Sequence, residues 1–257
     1  MAEPLSNSIQ AIPANPPLGF IATDIHFPRP PGDPFHEQTW PFPLIREQAR
    51  GSTESDIVTG TKYDDAFIER FVEAGKKLAD RGCIGIITSC GFLAMAQNEL
   101  SARIPIPIST SSLLQLPSLL AILPSNKSIG ILTYDDARLG PLHLSQLGID
   151  TTKRAIPIRG APANGHLRRL ITEGGPYIHH EIEDELVDVA KRLIAECEES
   201  GTEIAGLLLE CTQMPPFAEA IQKATGVPVY DVYTMGMWFY SGLATRRPQR
   251  WGDKLVQ

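Results

Sequence analysis

The sequence predicts an α/β fold of two pseudo-symmetric lobes, each a parallel sheet flanked by helices, with an active site in the cleft between them. Three observations predict it. Strand-like and helix-like segments alternate, the order expected of parallel strands joined by crossover helices. The strand candidates are continuous apolar runs, as in strands buried on both faces. The plan also occurs twice. IGIITSCGFLA from Ile84 aligns with AGLLLECTQMP from Ala205, and IPI around Pro107 aligns with VPV around Pro228, both pairs 121 residues apart.

In the first half, GFIATD from Gly19 reads as a strand running into a loop rich in Pro and Gly, FPRPPGDP from Phe27. A helix follows over about Asp64 to Asp80, with Phe67, Phe71, Ala74 and Leu78 on one stripe and Gly82 ending it. Then come the buried strand IGIITSCG, a short helix through Met95 to Leu100, and IPIPIST from Ile104. In the second half, SIGILTYDD from Ser128 is the counterpart of the first strand at an offset near 110. A helix from about Tyr177 to Ser200 carries Ile178, Ile182, Leu186, Val189, Leu193 and Cys197 on one stripe, and Gly201 closes it. Strand IAGLLLECT from Ile204, a helix near Pro216 to Thr225 and strand GVPVYDV from Gly226 complete the repeat. Met235, Met237, Trp238 and Phe239 form a closing apolar helix expected to return to the first lobe. The expected lobes are therefore 1–113 plus 231–257, and 114–230.

Bulk properties narrow the function classes. The 257 residues are 42% apolar and 21% charged, with a formal net charge of −7 and no basic run, which argues against a nucleic-acid surface. No apolar run is long enough to span a bilayer. The N-terminal MAEPLSNSIQAIPANPP lacks the basic start and apolar core of a signal peptide. Four scattered cysteines without a Cys-x-x-Cys pair favour a reduced, cytoplasmic protein with no structural metal site. His179 and His180 are adjacent on a helix and cannot both face one metal.

Cys90 and Cys211 occupy matching positions at the carboxyl ends of buried strands, the edge where open α/β sheets bind ligands. Backbone N–H groups at such a turn favour a thiolate. Cys83 and Cys197 read as packing residues. A thiol pair suits inversion at carbon: one cysteine removes a proton as thiolate and the other delivers one as thiol. The carbanion beside a carboxylate then needs N–H and O–H donors. Ser89, Thr133, Thr212 and the amides around Gly91 are the candidates. Arg29 is a candidate carboxylate clamp, and Tyr134 a cleft-lining residue. No cofactor is required.

TSCGFL at Thr88 and ECTQMP at Glu210, on a duplicated α/β plan, resemble the aspartate/glutamate racemase superfamily over about residues 18–240. That group includes glutamate, aspartate and hydantoin racemases, maleate isomerases and arylmalonate decarboxylases. The resemblance implies that Cys90 and Cys211 are the acid/base pair between the lobes. It also implies that Thr212 helps bind a substrate carboxylate and that Asp24, after the first strand, is a polar site residue. A homodimer is common in such families. The sequence departs from the amino-acid racemases at Gly91-Phe92, where Asn-Thr is frequent. Gln213 stands where glutamate racemases have His, and Glu210 where Gly is common. Retention of both cysteines argues against the decarboxylase branch.

The expected activity is a cofactor-independent racemase or epimerase of an amino acid or related small carboxylic acid. The alternatives are a maleate-type cis-trans isomerase with one cysteine as nucleophile, or a non-catalytic small-acid binding protein.

Overall fold

Leu18, Phe20 and Ala22 point to one face of their strand and Ile21 to the other, and every one is buried. A strand with two apolar faces needs a helical layer on each side, and the computed structural model supplies both. It describes residues 15–246; most of the Pro-rich N-terminal segment and the C-terminal Lys-Leu-Val-Gln lie outside the described residues.

The first sheet contains β1 (Leu18–Ala22), β2 (Leu44–Gln48), β3 (Ile86–Thr88) and β4 (Ile108–Ser109), in the order β2-β1-β3-β4. The second contains β5 (Lys127–Thr133), β6 (Ile158–Gly160), β7 (Glu203–Leu209) and β8 (Val229–Tyr230), in the order β6-β5-β7-β8. All pairings are parallel. The duplication extends to register. Ile86 pairs with Ile108 as Leu207 pairs with Val229, keeping the spacing seen in the sequence. Gly19 pairs with Ile86 as Gly130 pairs with Leu207, which sets the offset between β1 and β5 at 111 residues.

The helices are α1 (Glu54–Ile57), α2 (Asp65–Asp80), α3 (Gln97–Arg103), α4 (Leu116–Ile122), α5 (Pro141–Ser145), α6 (His166–Thr172), α7 (His179–Glu199), α8 (Ala218–Thr225) and α9 (Val232–Leu243). Helix α2 starts where its cap dictates. The Asp64 carboxylate accepts the Phe67 N–H at 2.7 Å, and Gly82, at φ 79°, turns the chain out of the helix. The predicted stripe Phe67, Phe71, Ala74 and Leu78 is buried against the first sheet, and the α7 stripe from Ile182 to Cys197 against the second. The other face of the first sheet is covered by α9, where Val232, Met235 and Tyr240 pack on Leu18, Phe20 and Ile87. Trp238 departs from the expected packing face; it is 69% exposed.

Several strands are shorter than their apolar runs. In IPIPIST only Ile108 and Ser109 pair, because Pro105 and Pro107 have no N–H to give a ladder. Gly226 is not a strand start. It is the left-handed cap of α8, at φ 74°. The helix expected at Met95 is entered through a 3-10 turn, Gly91–Ala96, that begins directly after Cys90.

Close packing of α9 generates a paired test. A Cβ on Gly236 would strike the Trp40 ring, whereas one on Gly242 meets nothing within 4 Å. Gly236→Ala is expected to lose about 1–3 kcal/mol through overpacking. Gly242→Ala should gain about 0.5 kcal/mol from helix propensity alone. Urea unfolding of the two variants checks the opposite signs.

Candidate active site

The central strands of both sheets, β1, β3, β5 and β7, end at one cavity with an empty volume of about 420 Å³. Each lobe contributes its cysteine there: Cys90 follows β3, and Cys211, 8% exposed, follows β7. Arg29, Ser89, Gly91, Tyr134, Thr212 and Gln213 also line it, while Cys83 and Cys197 do not. Asp24 and Thr133 stand outside the lining. The Asp24 carboxylate is spent on the turn after β2, where it accepts from Gln48 Nε2 at 2.7 Å and the Gly51 N–H at 2.9 Å. The Thr133 side chain is fully buried behind the cavity and donates its hydroxyl to Glu210 Oε2 at 2.7 Å.

Two of the expected donors are also committed elsewhere. Ser89 Oγ accepts the Thr23 N–H at 2.8 Å and donates to the Thr23 hydroxyl at 3.1 Å. The Thr212 hydroxyl donates to the Ser89 carbonyl at 2.6 Å and accepts from Gln213 Nε2 at 3.2 Å. The Thr212 hydroxyl thus ties the two cysteine-bearing turns together, and the Ser89 hydroxyl ties the Cys90 turn to the end of β1.

Arg29 is the one cation lining the cavity among the described residues. It lies over the Phe27 ring, 4.2 Å from the centroid, with its Nη1 3.3 Å from the buried Asp33 carboxylate. Burial raises the Asp33 carboxyl above its ordinary range, against the opposing pull of Arg29.

Sequence reasoning missed two carboxylates. Glu54, from the first turn of α1, lines the cavity beside the buried Tyr134 hydroxyl. Glu210, 1% exposed, is held through Oε2 by Thr133 and, at 3.4 Å, by the Tyr134 N–H. Its Oε1 lies over Gly91, so close that no Cβ fits there. The signal for Glu210 was present in ECTQMP as a departure from Gly. Glu54 carried none, because its loop reaches the site only through the fold.

The electrostatics reverse one expectation. Both thiols are pushed up, not down: burial is the largest cause for each, and the Glu210 charge the next. The N–H groups of Phe92 and Gln213 act in the lowering direction, but they are outweighed. Burial lifts Glu210 itself from 4.5 to about 7, against the hydrogen bonds from Thr133 and Tyr134.

This arrangement, a two-lobed α/β fold with one thiol from each lobe on a shared cavity, has the fold of the aspartate/glutamate racemases. Solved structures agree in fold. Unliganded arylmalonate decarboxylase has a TM-score of 0.57 and 18% identity, covering 91% of this chain and 94% of that one. Glutamate racemase from Francisella tularensis, in complex with D-glutamate, has a TM-score of 0.50 and 19% identity, covering 91% and 85%. No protein-family model matches the chain. Among curated proteins, dimethylsulfoniopropionate lyase of Durusdinium sp. clade D is 30% identical over 230 residues, which span 88% of this chain and 74% of that protein. Dimethylsulfoniopropionate lyase 7 of Emiliania huxleyi is 26% identical over 231 residues, spanning 89% and 67%. The chain belongs to the family of these lyases. These relatives are named as lyases, not isomerases. No helix among the described residues is long and apolar enough to cross a membrane.

The raised Glu210 carboxyl has a consequence for stability. Between 4.5 and about 7 the folded chain holds a proton that the unfolded chain has released, so stability falls as pH rises through that window. The loss from this one group is about 3 kcal/mol. Glu210→Gln is expected to remove that part of the pH dependence and to be the more stable protein above pH 7, as read by urea unfolding at a series of pH values.

Proposed function

We propose that this protein is a lyase that removes the proton alpha to a carboxylate and expels a neutral leaving group from the β carbon, with dimethylsulfoniopropionate as the substrate to test first. The observation that carries this reading is the charge layout of the cavity: two thiols, one guanidinium and two carboxylates around apolar and aromatic walls. A small zwitterion matches it. Its carboxylate suits Arg29, a fork built for that group. Its sulfonium suits Glu54 and Glu210, with the Phe92 and Tyr134 rings as further cation-attracting surfaces.

One cysteine, as thiolate, takes the α proton. The electron pair left on the α carbon forms the Cα–Cβ double bond. The C–S bond breaks with its pair remaining on sulfur, which leaves as neutral dimethyl sulfide, and acrylate stays behind. Charge balances: the sulfonium gains an electron pair, the base gains a proton, and no oxidant or reductant enters. Arg29 stabilises the charge that builds on the carboxylate as the proton departs.

A racemase or epimerase is the second reading, favoured by the presence of both thiols on one cavity, since an amino acid is also a zwitterion. A maleate-type substrate fits poorly. As a dianion it would bring two negative groups to a site with one cation and two carboxylates.

Incubating the purified chain with dimethylsulfoniopropionate should release dimethyl sulfide into the headspace. Loss of the cysteine that acts as base, read in Cys90→Ser and Cys211→Ser, should lower the rate by about 10²–10⁴-fold. If no sulfide appears but amino acids acquire α-deuterium in heavy water, the racemase reading replaces this one. Arg29→Gln is expected to raise KM by about tenfold or more through loss of a charge-assisted hydrogen bond, and to lower kcat as well because it also meets the charge that builds as the proton departs. An unchanged KM would move the carboxylate site elsewhere.

A further inference from the structure

Burial opposes a thiolate at both cysteines, whose side chains line the cavity. A base must therefore be produced when substrate arrives, and the position of Glu210 provides a means. Its carboxylate sits between the two cysteine turns, next in sequence to Cys211 and in contact with Gly91, the residue after Cys90. One oxygen is fixed by Thr133 and Tyr134; among the described residues no hydrogen bond engages the other, which faces Gly91 in the cavity wall. We propose that the Glu210 carboxylate is an electrostatic gate: in the free enzyme its charge adds to the burial that keeps Cys90 and Cys211 as thiols, and an onium head bound beside it cancels that added opposition, easing one of them toward thiolate. This deepens the proposed function and rests on its onium substrate and working thiols.

The physical argument is one of charge count in a dry site. Two anions buried within reach of each other disfavour joint ionisation, so an ionised Glu210 opposes a thiolate at either cysteine. A cation placed beside the carboxylate cancels that opposition without moving a residue. Chemistry is thereby coupled to occupancy: a ligand lacking the positive head leaves the thiols protonated. Burial protects the carboxylate from screening by solvent ions.

Other charged and titratable groups face the same space. The Tyr63 phenol, behind Cys90, feels both Glu210 and Cys90, and burial raises it far above its ordinary value, so it stays neutral. Glu54 acts on Cys90 and Tyr134 from the α1 side. The Arg29–Asp33 pair acts on Cys211 from the loop after β1, with opposing signs. Arg168 lies behind Tyr134, 4.6 Å from its ring centroid, and its charge is shared with Asp135 at 3.2 Å. Of these groups, Glu210 is the carboxylate with the largest charge effect on both thiols.

The test is a thiolate titration by ultraviolet absorbance, with the Cys90→Ser/Cys211→Ser double variant subtracted to remove the Cys83 and Cys197 signals. The probe is trimethylammonioacetate, an onium carboxylate with no β carbon and hence no elimination. Glu210→Gln should move thiolate formation down by at least one pH unit, a tenfold gain in thiolate at fixed pH. Trimethylammonioacetate should move wild type the same way and leave Glu210→Gln unmoved. A variant that titrates with wild type, or a probe that shifts both proteins equally, overturns the gate. If Glu210→Gln does not fold, Thr133→Val takes its place. Losing the hydroxyl that stabilises the carboxylate should raise the ionisation near pH 7 in the rate profile, and an unmoved profile counts against the proposal. Thiolate shifts without any dimethyl sulfide release would retain the gate and reject the proposed substrate; sulfide release without shifts would do the reverse.

Discussion

The site depends on the contact between the turn after β3 and the turn after β7. The Thr212 hydroxyl reaches the Ser89 carbonyl at 2.6 Å, and the Glu210 carboxylate and carbonyl crowd Gly91 so closely that any side chain there would collide with them. This approach brings a thiol from each lobe onto one cavity. It also explains the composition of SCG and ECT. Glycine is needed because the facing backbone occupies the Cβ position. A hydroxyl is needed after Cys211 because the Ser89 carbonyl, buried at a strand end, requires a donor. Neighbouring ties reinforce the contact: Ser112 donates to the Leu209 carbonyl at 2.8 Å, and Arg138 to the Val58 carbonyl at 2.7 Å. The two sheets are thereby held together where their strands end, and one buried apolar cluster runs through both lobes.

Much of this was legible in the sequence because duplication is a signal in chain order. The 121-residue spacing placed Cys90 opposite Cys211 before any coordinates, and the strand registers follow the same spacing. The long helices were equally readable, since α2 and α7 bury one stripe each. The edge strands β2 and β6 were not. Their residues, LIREQ and IRG, are short and charged, as edges exposed to solvent tend to be. Nor could sequence say which polar groups were free. Ser89 and Thr212 stand beside the cysteines in the chain and Thr133 ends β5, yet their hydroxyls are consumed by partners 66, 123 and 77 residues away. Asp24 illustrates the same limit. Its counterpart by strand register is Asp135, and both carboxylates serve local turns, accepting from Gly51 and Ala137 respectively.

The expected lowering of the thiols failed for a reason that bears on chemistry. Turn N–H groups do approach both cysteines, but the enclosure that creates the cavity also strips water from the sulfurs, and desolvation of an anion outweighs a single partial charge. A buried carboxylate next to them adds to the cost. Such a site is poorly suited to a permanently charged nucleophile. It suits one whose charge is created only when a countercharge enters.

That distinction bears on how one scaffold serves both inversion and elimination. Each begins with loss of a proton next to a carboxylate, and the two diverge in where the electron pair goes. With no leaving group on the β carbon, the pair waits for a proton from the opposite side, and a second acid must stand ready. With a sulfonium there, the pair moves into the new double bond and the sulfur departs neutral, so the second acid is not needed for turnover. A site built for the second outcome gains from negative charge near the β substituent in the ground state, and the attraction ends as the cation is discharged. Glu210 and Glu54 add that charge to a cavity whose one guanidinium is already partnered by Asp33. The cost is visible in Glu210 itself, raised to about 7 by burial and retained in the cavity wall between the two thiols. A buried carboxylate that opposes folding above neutral pH is more economically explained by what it does to a cation and two sulfurs than by packing.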